Sequence, residues 1–442
     1  MEPNALSNEV LTDLFRSAWV IETSRARVYE AWSRSDASYA DSAELAGTRA
    51  GLMGAAVESV GRQPDTALIE PHSTWMIDLV GHEPAEVPLG NMFMSRIADW
   101  VESHVADYLP SGADALKEAG EQERAALKFP ESLPPPPPFE PLTVPKVEAP
   151  GEVRFTFGIL ADLHFGSTAG DERAEAAIDD LNRSGADLVI QLGDITDHGE
   201  SSEFAAAKKA LGRLEMPLLT MMGNHDVLSH TEGELTGREY YAGAFDREPD
   251  GTMIEHAGIR FAVLDSVEHA ASPLPAFDFV SGNFVDEVGG AIVRGSLTPP
   301  HHEILADVAA PGAPPAFVFL HHPPQPFVGF PPILFGLRDA DSGRLHATVD
   351  SGNVWGVFAG HTHRNARTRD FDGVPAQEVA IPRDYPFGYA LVDVAANGYA
   401  FRFMQLSDEE ILREAYTHAG HIHRRYGRGR DEDLAFAWTK AL

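Results

Sequence analysis

The chain has 442 residues, 43% of them hydrophobic, which is enough for two cored domains and argues against disorder. It contains no cysteine, so disulfides, thiolate metal sites and cysteine nucleophiles are excluded, and a cytoplasmic protein is expected. A formal net charge of −33 opposes nucleic acid as a partner, because phosphate backbones are met by Lys and Arg.

Taken in chain order, the opening Met1-Glu-Pro-Asn-Ala-Leu6 has neither a basic nor an apolar leader region, so no signal peptide is expected. No apolar stretch approaches the roughly 20 residues that span a bilayer. Residues 1–129 read as a helical domain of unknown role. Leu11, Leu14, Phe15, Ala18, Ile21, Val28 and Trp32 fall near one helical face, and Ile97, Trp100, Val101, His104, Val105 and Tyr108 repeat the pattern. His104 reads as a core histidine with its polar atoms satisfied. Asp41-Ser-Ala-Glu44 has the spacing of a capping box. A di-iron bundle would need Glu-x-x-His pairs, and Glu22, Glu30 and Glu44 have no histidine three residues on. Docking or homo-oligomerisation is the expected role, and the chemistry should survive without this region.

Residues 130–152 hold nine prolines, Pro134 to Pro138 among them, and read as a semi-rigid linker. From residue 153 the pattern alternates. Apolar runs at 153–161, 187–192 and 217–222 are strands separated by helices at 171–184 and from Ser201 to about Leu214. That is βαβαβ, a parallel sheet with right-handed crossovers. Strands at 260–265, 316–320 and 354–359 are expected to continue it, with Thr298-Pro299 opening a helix before the second of these. Short runs near 366–371, 375–380, 388–395 and 399–406 suggest antiparallel strands of a second sheet. Residues 407–442 read as a polar tail, partly helical. Its His421 and His423 read as solvated, and its arginines as partners for acidic groups.

Five of the strand ends carry chemistry: Asp162-Leu-His164, Gly193-Asp194-Ile-Thr-Asp197, Gly223-Asn224-His225-Asp226, His321-His322-Pro323 and Gly360-His361-Thr-His363. Ligands in α/β proteins gather beyond the carboxyl ends of strands. Carboxylates, imidazoles and one amide suit first-row metals such as iron, manganese or zinc. Asp162, His164, Asp194, Asn224, His321, His361 and His363 are too many for one ion. They suit two ions sharing a carboxylate, roughly 3.5–4 Å apart. Such a centre would also supply the local positive charge that an anionic substrate needs in so acidic a protein.

Together the five motifs, in this order, resemble the calcineurin-like metallophosphoesterases over about residues 153–406. The resemblance implies a four-layer α/β/β/α sandwich with two mixed sheets, two divalent or trivalent transition metal ions, and hydrolysis of a phosphate ester by a metal-bridging hydroxide. It implies that Asp162, His164, Asp194 and His363 hold the first ion, that Asp194 bridges, and that Asn224, His321 and His361 hold the second. His225 would be the catalytic histidine and Asp197 its orienting partner. The motifs are most similar to those of bacterial cyclic-nucleotide and glycerophosphodiester phosphodiesterases. His198 and Asp226 stand where Ser/Thr protein phosphatases have Arg and Glu. A small phosphate ester is therefore the expected partner. A phosphomonoesterase is the alternative, and a non-catalytic scaffold a weaker one, because no ligand position is lost.

Overall fold

The fold is described from a computed structural model, which covers residues 8–64, 66–82, 90–127, 129, 138–228, 236–247, 251–267, 276–278, 283–285, 294–324, 329, 333, 335–371, 373–419 and 421–440. Most of the proline run, residues 229–235 and most of residues 268–293 lie outside the described residues. The chain divides into two compact units, one comprising 1–136 with 326–335, the other 137–325 with 336–442.

The first unit is built on α1 (Asn8–Ser33), α2 (Ala40–Ser59), α3 (Ile69–Val80), α4 (Gly90–Val105) and α5 (Ala113–Ala126). Leu14, Phe15, Ile21, Val28, Trp32, Ile97, Trp100 and Val101 are buried, as their helical spacing requires. The expected capping box is not formed. Helix α2 already begins at Ala40, so Asp41 falls in its first turn, and Asp36 instead caps the preceding short turn through Ser38 N. His104 is only partly buried; its Nδ1 reaches Trp100 O at 2.8 Å and its ring stacks on Trp100. Ile333, 2% exposed, joins the cluster of Val20, Leu68 and Ile69, and His72 Nε2 lies 2.9 Å from Gly329 O. A segment that the sequence reading assigns to 153–406 thus packs within the helical unit.

The second unit contains β1 (Val153–Leu160), α6 (Gly170–Ser184), β2 (Leu188–Gln191), α7 (Ser201–Leu211), β3 (Leu218–Thr220), α8 (Gly237–Phe245), β4 (Thr252–His256), β5 (Ile259–Leu264), β6 (Ala276–Asp278), β7 (Asn283–Val285), α9 (Pro299–Val308), β8 (Ala316–Leu320), α10 (Asp339–Ser351), β9 (Val354–Ala359), β10 (Ala366–Phe371), β11 (Val374–Glu378), β12 (Gly388–Ala395), β13 (Gly398–Gln405), α11 (Glu409–His418), α12 (His421–Arg428), α13 (Asp431–Leu434) and β14 (Ala435–Thr439). One sheet runs β14-β13-β12-β1-β2-β3, the other β10-β11-β9-β8-β5-β4, and both are mixed. Phe157, Ile190, Phe261, Phe319, Phe358 and Phe401 interlock between the sheets. Leu181, Phe204 and Leu412, from helices α6, α7 and α11, cover the outer face of the first sheet; Leu305 and Val349, from α9 and α10, cover that of the second. This is the four-layer α/β/β/α sandwich.

Sheet membership differs from the sequence reading. Strands β5, β8 and β9 do not extend the first parallel sheet but form the second, and β12 and β13 return to pair beside β1. Strands β5, β8, β9 and β12 are buried on both faces, so their apolar runs carry no mark of which sheet they enter. The tail also belongs to the sandwich: β14 pairs with β13 from Gly398↔Thr439 to Arg402↔Ala435. Its arginines find local partners, Arg428 with Asp431 and Arg430 with Asp433. The side chains of His421 and His423 lie outside those described. From residue 138 the expected linker packs on the sandwich without regular structure, through Leu142 and Val144.

Candidate metal centre

The ligand-bearing loops are shaped by each other's backbones. Leaving β1, the chain turns so that Asp162 N donates to Gly193 O and His164 N to Asp194 O, zipping the first loop to the one after β2. Asp226 holds the third loop to the second: its carboxylate accepts from the backbone N–H groups of Ile195, Thr196 and Gly223. After β9, Gly360 N donates to His321 O at the end of β8. Two glycines make room for carboxylates. A Cβ at Gly223 would overlap Asp194, and one at Gly360 would overlap Asp162. This is the steric reason for Gly before Asn224 and before His361.

The loops bring together all the expected site residues. Asp162, His164, Asp194 and His363 form one group able to hold an ion, with Asp162, His164 and Asp194 fully buried. His164 Nε2 and His363 Nε2 stand 3.1 Å apart, and Asp162 Oδ1 lies 3.6 Å from His363 Nε2. His321, His322 and His361 form a second group. Asn224 Oδ1 reaches His321 Nε2 at 2.9 Å. Asp194 lies between the groups: its Oδ1 accepts from His225 N at 2.8 Å, while Oδ2 lies 3.4 Å from His321 Nε2 and 3.9 Å from His164 Nε2.

The orientation of each histidine follows from its other nitrogen. His164 Nδ1 donates to Asp197 Oδ1 at 3.0 Å, His363 Nδ1 to Asp384 Oδ2 at 2.8 Å and His321 Nδ1 to Leu192 O at 2.8 Å. With the proton on Nδ1, Nε2 of His164 and of His363 presents a lone pair to the interior of the cluster, whereas His321, whose burial opposes its charge, is pushed up to about 9 by Asp194 and its Nε2 faces Asn224 Oδ1. Two such lone pairs at 3.1 Å, beside buried carboxylates, form a donor set that suits a cation. Charge agrees at three of the histidines. Burial holds His164 down to about 3 and His361 and His363 below the usual imidazole range, in the neutral form that metals bind. Burial pushes Asp162 up, and the neighbouring Asp194 pushes it the same way. Burial opposes ionisation of Asp194 too, but His321 more than offsets this and holds it low.

Asp197 differs from its expected role. Its carboxylate serves His164 rather than His225; the backbone carbonyl of Asp197 is what accepts from His225 Nδ1, at 2.7 Å. Burial works against ionisation of this carboxyl, but the His164 hydrogen bond leads the opposing effects and brings it to about 2. His322, which the sequence reading places in a motif without making it a ligand, stands in the second group with Nδ1 2.9 Å from Ser266 Oγ. Two residues at the site escape the sequence reading. Arg383 and Asp384 lie in the β11–β12 connection, where the only signal was a charged pair between Pro382 and Pro386 in an apolar stretch.

An α/β/β/α sandwich whose strand ends converge on aspartates, histidines and an asparagine is a fold whose loops could hold metal ions. Residues 155–365 match the model of the calcineurin-like phosphoesterase family, and together with the relatives below this match supports a metal-dependent hydrolase of phosphoric esters. A probable cyclic nucleotide phosphodiesterase of Rhodococcus erythropolis is 26% identical over 229 residues, covering 49% of this chain and 67% of that protein. A cAMP/cGMP dual specificity phosphodiesterase of Mycobacterium tuberculosis is 28% identical over 221 residues, 48% of this chain and 59% of that protein. A glycerophosphodiester phosphodiesterase of Enterobacter lignolyticus is 26% identical over 223 residues, 48% of this chain and 71% of that protein. Among solved structures, a dimetal phosphatase from Danio rerio is 15% identical and covers 58% of this chain and 98% of that one, with a TM-score of 0.44.

Proposed function

We propose that the chain is a dinuclear metal-dependent phosphodiesterase acting on a small diester of the cyclic-nucleotide or glycerophosphodiester kind. The observation that carries this reading is the position of Asp194, whose Oδ2 faces a histidine of each group. Asp162, His164, Asp194 and His363 would hold one ion, and Asp194, Asn224, His321 and His361 the other. Iron, manganese and zinc suit these donors. Two bound ions would supply the Lewis-acid charge that receives a phosphoryl group and activates water. The names of the sequence relatives support the diester class. A cytoplasmic setting and self-association through the helical region belong to the same proposal.

His225 is the proton donor in this reading. Its Nδ1 is committed to the Asp197 carbonyl, so Nε2 is the nitrogen free to exchange a proton with a leaving oxygen. Its ring centre lies 4.6 Å from that of His164, edge to face, beside the first group. The test is to load the protein with Mn²⁺ and assay cyclic nucleotides, glycerophosphodiesters and monoesters side by side. Diester turnover is expected, and Asp194→Asn should abolish it while lowering bound metal in both groups. Monoester turnover with diesters untouched would overturn the substrate class, and two tightly held ions in Asp194→Asn would overturn the bridge.

A further inference from the structure

The two histidines that face each other at 3.1 Å are each backed by a carboxylate, and one arginine joins the two carboxylates. Arg383 Nη1 lies 3.4 Å from Asp197 Oδ1, the atom that accepts from His164. Its Nη2 lies 3.1 Å from Asp384 Oδ2, the atom that accepts from His363, and its Nε lies 3.3 Å from Asp384 Oδ1. The arginine is itself held, since Arg173 Nη1 donates to the Arg383 carbonyl and Phe387 N donates to Asp384 O at 2.7 Å. Asp384 is 5% exposed and the Arg383 side chain 19%, so the bridge is shielded from water on most sides.

We propose that Arg383 is a positioning residue that clamps Asp197 and Asp384 and so fixes His164 and His363 with both Nε2 atoms turned to one ion. The inference rests on the metal reading above and assigns a role outside its ligand set. Arg383 Nη2 is also 3.4 Å from His363 Nδ1, and both atoms cannot donate to each other. Asp384 decides the matter, being nearer at 2.8 Å and negatively charged: it keeps the proton on Nδ1. Without Asp384, the guanidinium would become the partner of Nδ1, the proton would move to Nε2, and His363 would present N–H where a lone pair is needed. A carboxylate behind a ligating histidine commonly changes metal affinity by about 10- to 100-fold. What this chain adds is one cation that ties two such carboxylates together.

The clamp acts on the first group only, which gives a selective test. Mn²⁺ is titrated calorimetrically into metal-free wild type, Asp384→Asn, Asp384→Ala and Arg383→Ala, and thermal unfolding of each metal-free protein is recorded alongside. Two binding steps are expected in wild type. In Asp384→Ala and Arg383→Ala one step should weaken by about 10- to 100-fold while the other holds, with little change in metal-free unfolding. Asp384→Asn, which keeps the shape and an acceptor oxygen, should fall between them and wild type. Unchanged affinities, or equal weakening of both steps, would overturn the clamp alone. A wild type that takes up no Mn²⁺ would overturn the metal reading and the clamp together. If a variant loses metal-free stability as well, selective weakening in either of the others still supports the proposal, and its absence from all three rejects it.

Discussion

Five of the proposed ligands hold a backbone that side-chain-bearing residues rarely adopt: φ is 44° at Asp162, 49° at His164, 49° at Asp194, 69° at His361 and 54° at His363. Left-handed geometry at such residues costs of order 1–3 kcal/mol each, and it persists only where surrounding bonds over-determine it. Here the inter-loop hydrogen bonds do so, and the turn swings each side chain back over the strand ends. His225 is different: it is not among the residues with positive φ, and it groups with His164 and Asp197 rather than with the other proposed ligands. Its assignment as proton donor has a measurable consequence. General acid catalysis is worth about 10²- to 10⁴-fold, and only where the leaving oxygen needs the proton. His225→Ala should keep both metals and lose that factor on an alkyl phosphodiester, but lose far less on a nitrophenyl diester. The comparison is of kcat/KM for the two esters beside metal content. Equal losses would leave His225 as an electrostatic clamp on the phosphate, and loss of an ion would make it a ligand.

At the scale of elements, the helices of the first unit meet across a buried ionic network. Glu22 is gripped by Arg25 at 2.5 Å and by Arg49 at 2.7 Å; Arg49 continues to Glu102 at 2.5 Å, and Arg25 to Glu123. Tyr29 donates to Glu123 at 2.7 Å. Burial pushes the Glu22 carboxyl up, but the two guanidiniums more than offset this and hold it below its usual range. A carboxyl depressed in the folded state contributes stability above its unfolded value, and that stability is lost as pH falls through the folded one. Arg49→Met leaves Glu22 short of a cation and should destabilise the unit by about 3–5 kcal/mol at neutral pH. The deficit exists only while Glu22 is ionised, so it should shrink toward acid. Urea midpoints of wild type and variant, compared at about pH 7 and about pH 4, should lie further apart at the higher pH. A constant difference would mean that Arg49 acts through packing.

At the scale of the molecule, the chain crosses between its two units three times, after residues 136, 325 and 335. The segment 326–335 leaves the catalytic unit just beyond His321-His322 and returns at Gly336. Within the helical unit it contributes Ile333 to the apolar cluster with Val20, Leu68 and Ile69. A chain starting at 137 would strip those partners away. The described metal-binding groups contain no residue of the helical unit, so turnover of a small chromogenic ester should persist in the truncated, metal-loaded protein. The 326–335 segment should nevertheless be cut by a protease far faster than in the full chain. Mass spectrometry of timed digests measures this. Equal rates would show that Ile333 and its neighbours do not hold the segment.

The candidate site of this protein was legible in its sequence because its donor types lie close together in the chain. A strand end with Asp-x-His or Gly-His-x-His carries its donor types in a few consecutive residues, and all seven proposed ligands come to one cluster. Strand positions were legible for the same reason, since apolar runs bounded by turn residues need no distant information. Sheet membership was not. Residues such as Phe319 and Val392 are equally buried in either sheet, and only packing assigned β8 to one sheet and β12 to the other. Nor were the supports of the ligands legible. Asp384 approaches His363 from a loop 21 residues on, and Arg383 reaches back 186 residues to Asp197. A carboxylate or guanidinium that acts from behind a ligand has no fixed spacing from it in the chain, so its role exists only once the tertiary structure has closed the distance.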